Sequence, residues 1–352
     1  MLSSRPTKAL WDFGTGYDLF ISLLHLFHPE DFNVRASWAA SILDRLSDED
    51  RRSLAIGDEM MLMPIYFVHK LAQPKDSLTC INTIAATPAS RRLEALSFGG
   101  STSTAYKEVI LSVRPGHKWS AADKAVITEY FNDRGRETPL TYMELLHHTW
   151  AHREEFGAKY LQALRSYHEN FFAEEEQRIL PVLRQGLSHA QMRAGSLPLA
   201  AMLEELSAGV RYGDLQNYRS VYFAPSFWST PYLHHQIISP DTLLLVFGAR
   251  PENMPLIPGD IVPDSLLRGL KALSDPTRLR ILRDIAQTPQ TASQLSRSLR
   301  LRPPTVAHHL RELRLASVVQ IIVDPKGERR YGTRFEGFET IQDLLIRFVH
   351  GE

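Results

Sequence analysis

Three groups of side chains in this chain of 352 residues have types and spacings that could do chemistry. The first is His148, His152 and Glu155, with His147 alongside. Positions i, i+4 and i+7 share one face of a helix, where imidazole and carboxylate together can ligate a metal. The glutamate does not directly follow the first histidine, so the zinc-protease motif is absent, and a polar helix face is the plain alternative. The second group is the aromatic stretch 222–232 with His234 and His235. It suits either the wall of a small-molecule pocket or the packing of a sheet on helices. The third comprises Arg302, Thr305, His308, His309, Arg311, Lys326, Arg329 and Arg330. Cations interleaved with short polar groups suit the phosphates and base edges of a nucleic-acid duplex.

Other chemistries lack their residues. The single cysteine, Cys80, has no activating neighbour and allows neither a disulfide framework nor a thiolate cluster. The segment Phe98-Gly99-Gly100-Ser101-Thr102 is glycine-rich but has no phosphate-loop lysine, and neither Gly-x-Ser-x-Gly nor a dinucleotide fingerprint occurs. No cofactor and no enzymatic activity are therefore expected. Hydrophobic residues at 43% and charged ones at 23% exclude wholesale disorder. The most apolar stretch, 60–68, is broken by Pro64, so no membrane span is expected, and the first residues lack the pattern of a signal peptide. A cytoplasmic, reducing location fits.

The formal net charge is zero, with 40 Lys+Arg against 40 Asp+Glu, but it is split. Residues 264–352 hold 15 cations and 10 acids, and residues 1–263 hold 25 and 30. Between the two regions, residues 251–263 carry four prolines and a glycine, which cannot continue a helix or sit in a central strand. Three parts are expected: 1–250, a linker over 251–263, and a domain over 264–352.

The elements that must position the third group can be read in order. Asp264 can cap a helix carrying Leu266, Leu267, Leu270 and Leu273. Asp275 and Pro276 then open a second helix, as N-cap and first helical residue, burying Leu279, Ile281, Leu282 and Ile285. A short helix over 293–299 and a turn at 300–302 lead to a helix opened by Pro303-Pro304, whose inward stripe is Val306, Leu310 and Leu313. Two short helices joined by a tight turn make a helix-turn-helix. The runs 318–323 and 328–335 flank a turn at 324–327 and predict a β-hairpin tipped with cations. A last helix over 338–349 carries Ile341, Leu344, Leu345 and Phe348 on one face.

With Val306, Leu310 and Leu313 inward, the N-terminal part of the second helix can enter the major groove, Thr305 and His308 reaching base edges. Arg302 and Arg311 then suit phosphate or guanine, with His309 toward the edge of the face. The hairpin cations Lys326, Arg329 and Arg330 lie over the backbone or the adjoining minor groove. Several of these residues have plain alternatives. Arg278 and Arg280 can be solvated or structural, His309 can pack on the previous helix, and Tyr331 and Arg334 can be cross-strand partners.

The stretch 270–282, Leu-Lys-Ala-Leu-Ser-Asp-Pro-Thr-Arg-Leu-Arg-Ile-Leu, resembles the opening of the ArsR/SmtB family of bacterial transcriptional regulators. Residues 304–313, Pro-Thr-Val-Ala-His-His-Leu-Arg-Glu-Leu, resemble that family's recognition helix. The resemblance covers the C-terminal quarter. It implies a winged helix binding double-stranded DNA at a pseudo-palindromic operator as a homodimer, and repression relieved by an effector. Pro303 and Ala307 stand where the family usually has polar residues, so base readout should be sparse. The family's cysteine-pair metal site is absent from 288–296, and Asp343, His350 and Glu352 lack the spacing of its second metal site.

The larger N-terminal region reads as mostly helical, with helices over 18–27, 34–46 and 60–71, starts at Thr87-Pro88 and Ser120, and a long helix from Leu140 to about Ile179. A helix over 197–207 is followed by three strands between 218 and 248, taken as a small antiparallel sheet. The fold class expected is mainly α with small β: a helical α+β region followed by a winged helix-turn-helix domain. The N-terminal region should supply regulatory input, through an unknown small-molecule effector. The alternative is a metal-binding or enzymatic N-terminal domain fused to a winged helix.

Overall fold

The computed structural model describes residues 7–32, 34–61, 63–134, 137–212, 215–251, 254–257, 262–323 and 328–350. In chain order, β1 (Lys8–Trp11) precedes α1 (Gly16–Phe27), α2 (Ala36–Leu43), α3 (Asp48–Met61), α4 (Ile65–Lys70), α5 (Ser77–Ala86) and α6 (Ala89–Ser97). Next come α7 (Thr104–Ser112), α8 (Ala121–Asn132), α9 (Leu140–Ala151), α10 (Arg153–Tyr167), a π-turn (His168–Phe172), α11 (Ala173–Ala194) and α12 (Leu199–Leu206). Strands β2 (Val210–Tyr212), β3 (Ser220–Ser226), β4 (Leu233–Ser239) and β5 (Thr242–Gly248) follow. The C-terminal part contains α13 (Asp264–Leu273), α14 (Pro276–Gln287), α15 (Ala292–Leu299), α16 (Pro303–Leu315), β6 (Val319–Val323), β7 (Arg329–Thr333) and α17 (Glu336–His350). The protein is thus mostly helical with some strands.

Packing divides the chain into two compact units. One is Gly14–Arg178 with Gln236–Pro240; the other is Met1–Phe13, Ile179–His235 and Asp241–Glu352. The division therefore falls away from the proline-rich stretch 251–263, because residues upstream of it pack with the C-terminal helices.

In the helical unit, local caps set several boundaries. The Asp76 carboxylate accepts from the Thr79 N–H at 2.7 Å, and Ser120 and Asp123 form a reciprocal capping box. Glu176 accepts from the Ser77 amide at 3.0 Å and from the hydroxyls of Ser77 and Thr15. Cys80 is fully buried, and burial pushes its thiol pKa up. Two expected helices are divided. The 60–71 run breaks at Met63, which has φ +62, ahead of Pro64. The expected helix from 140 to 179 is interrupted at His152 (φ −110, ψ 31) and again by the π-turn, then runs through Pro181 to Ala194. Gly100 serves close packing: a Cβ there would lie 2.0 Å from the Ile238 carbonyl oxygen.

A four-stranded sheet has the order β1-β3-β5-β4. The antiparallel sheet expected over 218–248 is corrected here, since β1 pairs with β3 and β3 with β5 in parallel. The reason lies in β5, where Leu243, Leu244, Leu245, Val246 and Phe247 are all buried. A strand covered on both faces belongs in the middle of a sheet, and a continuous apolar run is its signature. The short connection from β4 returns β5 between β4 and β3.

The C-terminal helices share one core with Ile281, Ile285, Leu295, Val306, Leu310, Leu313, Val318 and Ile341. Asp275 caps α14 by accepting from the Arg278 N–H at 2.9 Å, with Pro276 at the first helical position. Asp264 does not cap α13. Pro263 holds that position, and the Asp264 carboxylate instead accepts from the Leu256 N–H at 2.8 Å. Leu279, expected inside, is 48% exposed, and Leu267, Leu270, Leu345 and Phe348 are exposed as well. Burial of Ile281, Leu282 and Ile285 already fills the stripe that α14 can offer to this core.

Candidate nucleic-acid interface

The turn that sets α16 against α15 is built from short-range hydrogen bonds. Thr291 and Gln294 cap α15 reciprocally. At its other end Arg300 adopts a left-handed conformation (φ 56, ψ 41), which lets the Leu301 N–H reach the Ser296 carbonyl at 3.1 Å. The Ser296 hydroxyl donates to the Leu301 carbonyl at 2.6 Å. Proline at 303 then starts α16 where a missing N–H costs no helical bond.

Burial of Val306, Leu310 and Leu313 fixes the rotation of α16. Arg302, Pro303, Pro304, Thr305, Ala307, His308 and Arg311 are left exposed. Arg302, Thr305, His308 and Arg311 therefore share the open side of one helix. His309 departs from the group: it is half-buried, and its buried Nδ1 has no hydrogen-bond partner among the described residues. Burial pulls its imidazole pKa down, opposed by the carboxylate of Asp275.

The wing adds cations. Strands β6 and β7 pair antiparallel, with Tyr331 opposite Ile321. Gln290 bridges to Tyr331 through two backbone hydrogen bonds, of 3.0 and 2.8 Å. Strand β2 joins the other side of this sheet, parallel to β6. Arg329 and Arg330 are exposed at the start of β7. Arg330 pairs with Glu328 at 3.1 Å, a solvated contact of small energetic weight. Lys326 lies outside the described residues.

Three arginines are structural. Arg278 donates to the carbonyls of Ala272 (2.8 Å) and Lys271 (2.7 Å), closing the α13–α14 corner. Arg334 donates to the Ser317 carbonyl at 3.2 Å. Arg314, at the end of α16, donates to the carbonyls of Ser207 and Ala208; burial, with Arg334 nearby, pushes its pKa down to about 10. The turn itself also exposes Arg297 and Arg300, which the sequence-based set did not include. Their signal was the spacing Arg297, Arg300, Arg302, which strings three cations across the turn.

A sequence model described as a helix-turn-helix domain matches residues 273–321. That span runs from the last residue of α13 into β6 and contains the exposed side of α16. The chain thus carries a C-terminal helix-turn-helix, which makes DNA the partner to expect and points to a DNA-binding regulator. No curated protein and no solved structure matches the chain.

The other sequence candidates come out differently. His148 and His152 have ring centroids 4.5 Å apart, but the helix breaks at His152, and Glu155 is paired with Lys159 at 2.9 Å. Among the described residues, no group of three His, Cys, Asp or Glu stands close enough to hold a metal. Phe223, Phe227 and Trp228 of the aromatic stretch are completely buried core residues. Among the described residues, no helix is long and apolar enough to cross a membrane.

Proposed function

We propose that this protein is a transcriptional repressor of the ArsR type, which grips a pseudo-palindromic operator as a homodimer and takes regulatory input from the residues before its winged helix. It acts by binding and not by catalysis. The observation that carries this reading is the rotation of α16: core burial of Val306, Leu310 and Leu313 leaves Arg302, Thr305, His308 and Arg311 open, with Arg329 and Arg330 exposed on the wing. A helix of this kind places its first turns in the major groove, while wing cations take phosphates.

The homodimer is supported by α13 and α17. They pack directly together, since a Cβ at Gly269 would lie 2.6 Å from Ile341 Cγ1. Both then show leucine and other apolar side chains to solvent, including Leu270 at 41% and Ile346 at 49%. Apolar surface of this kind marks a protein contact. Two copies joined there would offer two α16 helices to half-sites about 34 Å apart.

Titration of duplex binding against salt tests the reading, using DNA the protein selects from a random library. Affinity should fall steeply, by about tenfold or more between 50 and 200 mM salt if several phosphates are neutralised. Thr305→Ala and His308→Ala should each weaken the selected site by about 1–2 kcal/mol and relax its sequence. A flat salt dependence, or an unchanged preference in both variants, refutes the docking.

A further inference from the structure

Within the unit that carries the helix-turn-helix, a cavity of about 170 Å³ is lined by Arg268 of α13, Ser317 just after α16, and Thr340, Ile341 and Leu344 of α17. Thr230, Arg250, Ser207 and Ser265 add polar groups to its wall, as does Glu205, whose carboxylate is paired with Arg193. Arg268 is only 6% exposed, and its Nε makes no hydrogen bond to any described residue. The acid one helical turn before it, Asp264, is already engaged by the Leu256 amide (2.8 Å) and by Arg250 (3.5 Å). Arg250 in turn donates to the Met254 carbonyl at 2.7 Å, which anchors that segment. Burial pulls the Arg268 pKa down, and Tyr232, Asp264 and Glu312 offset this only through space.

A guanidinium has five donors and does not lose its proton in a protein. Buried polar groups almost always have partners, and a buried charge without one destabilises the fold that holds it. A cation kept in this state beside an open cavity is prepared for an anion that arrives from outside. The cavity sets the size: about 150 Å³ of apolar space admits benzene, so about six to ten non-hydrogen atoms fit here. Hydroxyls of Thr230 and Ser317 can share the charged end, while Ile341 and Leu344 give an apolar wall.

We propose that this cavity binds a small organic carboxylate with a compact apolar body, its charge held by Arg268, and that this ligand is the regulator's effector. The second half rests on the DNA-binding reading. The ligand would touch α13 and α17, whose outer faces are the apolar surfaces described above, together with the residue just after α16. Occupancy would therefore change how the α16 helices of two copies are held, which is the differential contact that allosteric coupling requires.

The full-length protein is tested by thermal melting and calorimetry with benzoate, with neutral benzamide as the matched control and inorganic phosphate as the competing anion. Benzoate should give a saturable rise in Tm, benzamide none, and Arg268→Met should abolish the benzoate response. Without ligand, Arg268→Met should melt about 2–6 °C higher than the parent, because a buried cation whose Nε lacks a hydrogen bond to any described residue has been removed. Ser317→Ala gives a second reading should the first variant fail to fold: benzoate affinity should drop about fivefold. Lower melting of folded Arg268→Met makes the guanidinium structural and overturns the site, as does a failure of benzoate to saturate. Saturation by phosphate alone overturns the carboxylate assignment. Bound benzoate should change affinity for the selected duplex at least about fivefold. Unchanged affinity removes the effector role, whereas a ligand-free protein that binds no duplex refutes the DNA reading and leaves the anion site standing.

Discussion

On α16 the side chains left facing solvent include Arg302, Thr305, His308 and Arg311, whereas on α13 and α17 they include Leu267, Leu270, Leu345, Ile346, Phe348 and Val349. The inward residues of the same helices are alike. Val306, Leu310 and Leu313 on one side, and Leu266, Ala272, Ile341 and Leu344 on the other, are all buried. Core formation therefore explains the inner stripes of the three helices equally and explains neither outer face. A helix that needs only solubility carries mixed charges outside. The outer face of α16 fits a polyanion, and the outer faces of α13 and α17 fit a second apolar surface.

The comparison breaks most visibly if charge is placed on the apolar side. In the proposed homodimer, Leu270→Asp combined with Ile346→Asp should convert the dimer to a monomer in sedimentation. Loss of the second reading head should then lower affinity for the selected duplex by about a hundredfold or more, because avidity is lost while each α16 face is untouched. A dimer that survives both substitutions moves the joint elsewhere in the protein. A smaller effect is expected on the polar side. Arg329→Ala with Arg330→Ala should leave the dimer intact and weaken all duplexes by about tenfold. The slope of log affinity against log salt should become shallower by about two per subunit. Unchanged slope would take the wing out of the footprint.

The polar face was legible in the sequence because it is the complement of a 3–4 stripe, and the stripe of Val306, Leu310 and Leu313 holds. Asp275-Pro276 was legible for a similar reason, since a cap depends on neighbours three residues away. Leu279, Leu345 and Phe348 misled, because an apolar residue at helical spacing reads the same whether it faces its own core or open solvent. The pairing of β1 with β3, and of β2 with β6, joins segments more than a hundred residues apart, and no local pattern encodes such partners. For β5 a signal was present: five consecutive apolar residues fit a strand covered on both faces better than an alternating hairpin strand. Within the interface, the half-burial of His309 depends on how closely α14 packs. Arg268 counted in the sequence as one more cation of a basic domain, while the structure removes it from the surface and leaves its Nε without a partner.

The smallest expected effect asks how far the polar face extends into the turn. Arg300 has φ 56 and ψ 41, a region in which a side chain meets its own backbone at a cost of about 1 kcal/mol and which glycine enters freely. Arg300→Gly should therefore raise the unfolding free energy by about 1 kcal/mol, read by urea denaturation, and Arg300→Ala should not, since alanine keeps the Cβ. The two variants lose the same charge. If Arg300 contacts a phosphate, both should weaken duplex binding alike and reduce the salt slope by about one, despite their different stabilities. Equal binding by both variants and the parent would confine the open face to α16 and the wing. Arg300 would then serve only the hydrogen bond from the Leu301 amide to the Ser296 carbonyl.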